Sequence, residues 1–179
     1  GSTGPASPTY IIPNFLNKFA GTKFRIVTGY KGTADLNLAM QRGEIEARGG
    51  SWVSVELAAP EMITQKKLKP IVFASLSRDP GNKDTPTLAE FVADPRHKQA
   101  AEFLSAEAEF GRAFFLPPGV PAERVAALRK AFEATLKDPA LVDDAAKKRL
   151  PLDPTSAEDL TRVTARVIAT PSDVVQLTK

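Results

Sequence analysis

The chain has 179 residues, 42% of them hydrophobic, which is enough for one sizeable core and a small appendage. Its net charge of +3, from 24 Lys+Arg against 21 Asp+Glu, is mild and interspersed; with no basic stripe carrying aromatics, it excludes a nucleic-acid surface. Zero cysteines exclude a disulfide framework, a thiolate metal site and a cysteine nucleophile. No apolar run reaches bilayer length, and the first residues show neither a charged leader nor an apolar signal core.

In chain order, Ser7 and Pro8 predict a helix start, the hydroxyl capping and the proline taking the first turn. Tyr10, Ile11, Phe15, Leu16 and Phe19 give that helix an apolar face, and Pro13 is expected to kink or shorten it. Residues 23–28 (KFRIVT), bounded by Gly21 and Gly29, predict a strand. Thr33 is placed to cap a helix over residues 34–41, with Asp35 at its positive end and Gly43 near its stop. Residues 44–48 predict the next strand, before Gly49, Gly50, Ser51 and a further apolar helix.

Residues 69–76 (KPIVFASL) predict a stronger strand, ended by the turn-rich loop 77–86 and followed by two short helices. Residues 112–116 (RAFFL) predict a strand stopped by Pro117, Pro118 and Gly119. From Pro121, the residues Val125, Leu128, Phe132 and Leu136 recur at helical spacing. A short helix over 139–148 follows, then one bearing Leu160, Val163 and Val167 behind a capping-box pattern at Thr155, Ser156, Glu158 and Asp159. The tail 172–179 is one helical turn or frayed. Strands alternating with helices predict an α/β class: a mainly parallel sheet flanked by helices, with additional C-terminal helices.

In such a sheet, ligands bind where strands pass through turns into helix N-termini with free N–H groups. The turns at residues 1–7, 29–33 and 49–51 each combine glycine with Ser or Thr hydroxyls, a chemistry suited to a carboxylate or phosphate. For any one turn a plain structural role outweighs a ligand role, and the coincidence of three brings the two readings level. GSTGPAS lacks the lysine and following hydroxyl of a P-loop, and no GxGxxG follows a strand. The single histidine, His97, lies in a charged segment far from any elbow-like serine and reads as a solvated helix residue. The pairs Glu44/Glu46 and Asp143/Asp144 lack a third ligand at metal spacing. On the residues, nucleotide binding, hydrolysis and a metal site therefore rank low, and no cofactor is expected.

The run GTKFRIVTGYKGTADLNLAMQRGEIEARGGSW resembles the substrate-binding proteins of tripartite tricarboxylate transporters, the Bug receptors. The likeness extends to Lys69–Val72 as a return strand, to Pro86, Thr87 and Glu90 as a "PT-x-x-E" segment, and to residues 114–122 as a strand ending in a "P-x-G-x-P" turn. The resemblance implies a periplasmic solute receptor of the type II binding-protein fold, closing two lobes on a small organic acid and working with membrane transporter subunits. It implies carboxylate contacts at Ser2, Thr3, Ser7, at Tyr30, Lys31, Gly32, Thr33 and Ala34, and at Gly50 and Ser51.

On this basis residues 1–76 are expected to form a ligand-binding lobe core and 77–111 a return loop with helices. Residues 112–179 are expected to complete that domain or belong to a partner lobe. The family's first-lobe beginning, with its own glycine-rich carboxylate loop, has no counterpart before Gly1, so a truncated receptor with half a cleft is expected. Self-association through the surface the absent lobe would cover is a residual alternative, its expected sign an exposed apolar patch near the return strands. Glu46, Ala47 and Arg48 depart from the family pattern at that strand end. The alternative function is a ligand-free structural or interaction domain, with a small α/β enzyme a more distant one.

Overall fold

A computed structural model describes residues 1–111 and 113–179. Helices are α1 (Pro8–Phe19), α2 (Thr33–Gln41), α3 (Trp52–Ala58), α4 (Pro60–Thr64), α5 (Pro95–Phe110), α6 (Ala122–Leu136), α7 (Pro139–Lys147), α8 (Ala157–Ile168) and α9 (Ser172–Gln176). A 3-10 turn covers Leu88–Phe91. The chain divides into two units, Gly1–Ala108 with Ala169–Lys179, and Glu109–Ile168.

The expected α/β architecture with a mainly parallel sheet is overturned. Helix accounts for 53% of residues and strand for 1%, with no sheet among the described residues. The one strand-type pairing described is a parallel bridge between Phe73 and Thr87, in which Phe73 N–H donates to Pro86 O at 3.0 Å and Leu88 N–H to Phe73 O at 2.8 Å.

The segments predicted as strands fail for a physical reason visible in their partners. Exposure alternates with a period of two over residues 21–27, as a strand would require. Yet Phe24 exchanges both its backbone bonds with the side-chain amide of Asn17, and Val27 O is taken by the N–H of Ser2 at 2.8 Å. Gly1 N in turn donates to Ala47 O at 2.7 Å. Successive N–H groups of an extended chain point to opposite sides, so Gly1 and Ser2 lace 21–31 to 44–49 by one described bond on each side. Single bonds between short stretches do not make a ladder. Of the predicted 112–116 strand, Arg112 lies outside the described residues, and 113–116 carry no strand pairing.

Unit 1 has its main core where α1 meets the 3-10 turn, α5 and α9: Phe15, Leu16, Leu88, Val92, Ala100, Ala101 and Val174 are buried together. Helix α1 starts as its sequence dictates, with Ser7 accepting the Thr9 N–H and Pro8 at the first position, and it runs on through Pro13. His97 is half-buried rather than solvated, its ring stacked 4.2 Å from that of Phe19. A smaller cluster of Leu36, Ala39 and Ile45, with Tyr30 and Met40 against it, holds α2. Gly32, not Thr33, is the N-cap of α2, and no side chain caps it.

The loop after Phe73 is pinned by Arg78, which donates to Glu90 from Nε (3.0 Å) and Nη2 (2.5 Å) and from Nη1 to Lys83 O (2.8 Å). Glu90 also accepts from Thr87 N–H at 2.9 Å, forming the capping box of the 3-10 turn. The "PT-x-x-E" pattern thus does a structural job in this chain. In unit 2, α7 is capped by Asp138 and α8 buries Val163, while α6 has no buried residue.

Candidate functional site: a hydroxyl turn and a half-buried arginine

The turn into α1 gathers three hydroxyls around that of Thr9. Thr9 Oγ1 lies 3.0 Å from Ser2 Oγ, 2.8 Å from Ser7 Oγ and 3.5 Å from Thr3 Oγ1, and accepts the Thr3 N–H at 3.2 Å. Ser2 is fully buried, and its Oγ accepts from Gly4 N–H at 3.2 Å. Chain reversal at Gly4, which has φ +156°, lets Ser2 and Ser7 reach the same helix end. Ser2, Thr3 and Ser7 are therefore brought together as a set; Thr9, the hub, was missed by sequence reasoning. Its signal was the second helical position of a Ser-Pro-Thr start, where a hydroxyl lies beside the capping serine.

The third predicted turn joins this end. A Cβ on Gly49 would lie 3.1 Å from Thr9 Cα, so the backbone there passes directly over the helix start. Gly50, at φ +146°, would place a Cβ 2.4 Å from Arg48 Nη1, so the Arg48 guanidinium lies across the bare face of that glycine. Ser51 caps α3, accepting the Ser54 N–H.

The second predicted turn contributes unequally. Tyr30 packs over Gly1, its ring 3.1 Å from the position of a Gly1 Cβ. Lys31 N–H donates to Asp35 Oδ2, Gly32 caps α2, and Thr33 and Ala34 are exposed at its start. Among the described residues no hydrogen bond ties Lys31, Gly32, Thr33 or Ala34 to the hydroxyl cluster.

Electrostatically the site is set by Arg48. Its Nη1 donates to Gly49 O at 3.1 Å, while Nε and Nη2 are shut off from solvent without a hydrogen-bond partner. Burial holds its pKa below the ordinary arginine value. The guanidinium still stays protonated at neutral pH, so the turn encloses a cation with two unspent donors. Trp52 Nε1, four residues on, is also buried and unpartnered, its ring edge-on to Phe73 at 6.3 Å. The sequence marked Arg48 only as a departure from a pattern; its burial and lack of a partner were invisible there.

Elsewhere, an open cleft of about 520 Å³ lies between 69–71 and 81–86, bordered by Lys69, Asn82 and Asp84, and no predicted site residue lines it. Among the described residues no group of His, Asp or Glu is arranged to hold a metal ion, and no helix is long and apolar enough to cross a membrane. Comparison with protein families, with curated proteins and with solved structures finds no match for this chain.

Proposed function

We propose that the chain is a solute-binding protein, or a part of one, that takes a small organic carboxylate at the turn between Arg48 and the start of α1. The observation that carries this reading is the Arg48 guanidinium, with two nitrogens removed from water and unpaired beside a glycine backbone. A desolvated cation with spare donors is costly until an anion pairs it, and a planar carboxylate matches its fork. The N-terminus of α1, which Gly49 approaches directly, adds the positive end of a helix dipole, its first N–H groups being capped by Ser7.

Extracytoplasmic uptake with tripartite-tricarboxylate-type membrane subunits, and a periplasmic location, belong to the same proposal and rest on the sequence resemblance. They draw no support from the fold. The test is a thermal-shift screen of dicarboxylates, tricarboxylates and aromatic acids against the chain and its Arg48→Gln variant. Stabilisation by one acid class in the parent and its loss in the variant support the reading.

One observation favours a ligand-free structural domain instead: the hydroxyls of Ser2, Thr3, Ser7 and Thr9 are bonded to one another and to the backbone. Under that reading no acid stabilises the protein, and Arg48→Gln leaves its melting temperature unchanged or raises it.

A further inference from the structure

We infer that the apolar face of unit 2 built from residues 114–116 and α6 is the contact between two copies of this chain. Phe114 and Phe115 are 85% and 81% exposed, the two most exposed large hydrophobic side chains described. Phe114 packs on Phe132 of α6, ring centroids 5.4 Å apart, which joins the segment to the helix at that point. Leu128, one turn earlier, and Leu116 are about half exposed. Helix α6 runs 15 residues with none buried, although Val125, Leu128 and Phe132 form a stripe at coiled-coil spacing. A helix of that length is marginal in water on propensity alone, so its stripe needs a cover.

Three properties favour a second copy as that cover. With an aromatic side chain presenting roughly 200 Å², the exposed fractions of Phe114, Phe115 and Phe132 together with half-exposed Leu128 and Leu116 offer at most about 600 Å² per copy. Pairing two such faces removes at most about 1,200 Å², the lower bound for a specific interface. A three-four stripe is complementary to its own antiparallel image, which is the requirement of an isologous two-fold contact. The ionisable residues of Glu109–Ile168 nearly cancel, ten Lys+Arg against nine Asp+Glu, so copies meet without net repulsion.

Sedimentation equilibrium on the full chain tests this, beside Leu128→Lys, Phe114→Ser and a unit 1 control, Leu57→Gln, with circular dichroism to confirm folding. The expected result is a reversible dimer of the parent and the control, with a Kd on the order of 10 µM, weakened more than tenfold in either unit 2 variant. Phe114→Ser serves where Leu128→Lys loses helicity, because residue 114 lies outside every helix. A parent that stays monomeric at about 100 µM, a dimer that survives both folded variants, or open-ended aggregation without a dimer overturns the inference.

Discussion

Asn17 takes the place of a neighbouring strand for Phe24: its Nδ2 donates to Phe24 O and its Oδ1 accepts from Phe24 N–H, both at 2.8 Å. One side chain thereby ties α1 to the extended run that follows it, and Thr22 Oγ1 adds a third bond to the same Oδ1 at 2.8 Å. Asn17→Ala leaves both backbone groups of a half-buried residue unpaired, a loss of about 2 kcal/mol. Urea denaturation is expected to show it, with Asn17→Asp in between because it keeps the acceptor alone. An unchanged midpoint for Asn17→Ala would remove Asn17 from the account.

Thr9 organises the hydroxyl turn in the same way. Thr9→Val keeps its shape and removes the oxygen that Ser2, Ser7 and Thr3 share. The expected cost is about 1–3 kcal/mol, because buried Ser2 loses a partner. Ser7→Ala, which deletes the N-cap of α1, is expected to cost about 1 kcal/mol. Equilibrium unfolding of both variants checks the order.

Ser105 supplies the opposite sign. It is 1% exposed on α5, and its hydroxyl has no partner. Ser105→Ala removes an unsatisfied group and improves helix propensity, so stability is expected to rise by about 1 kcal/mol. A fall in melting temperature would mean that the hydroxyl is satisfied in solution.

Acid is expected to act at Glu90 as one of two carboxyls held low among the described residues, the other being Asp94. The hydrogen bond from Arg78, then that from Thr87 N–H, hold its carboxyl at about 2, against an ordinary 4.5. A depressed carboxyl contributes stability that is fully present above 4.5 and is lost as pH falls through about 2. Glu90→Gln is expected to flatten the dependence of the urea midpoint on pH across that window, with the effect muted by solvent screening at this exposed pair. A parallel pH curve for parent and variant would place the acid sensitivity elsewhere.

Helix ends were legible because their chemistry is local. Ser7 with Pro8, and the 3.6-residue stripes of α6 and α8, each depend on neighbours within one or two turns. The strands were misread because alternation reports a preference for extended backbone and says nothing of a partner. Residues 21–27 do alternate, but Asn17 and Ser2 satisfy their backbone. At the candidate site the glycines and hydroxyls of two turns could be read, since Gly4, Gly49 and Gly50 are where the backbone turns or passes close. Thr9 and Arg48 could not, because their roles come from a contact 40 residues apart in sequence between Thr9 and Gly49.

Carboxylate capture at Arg48 is tested most directly by titration calorimetry of the acid that gives the largest thermal shift, against the parent chain, Arg48→Gln and Arg48→Lys. The expected result is measurable binding to the parent, a loss of at least about tenfold in Arg48→Gln as a charge-assisted fork is removed, and partial retention in Arg48→Lys. Equal affinity in all three proteins, or no heat from any acid of the three classes, would contradict it.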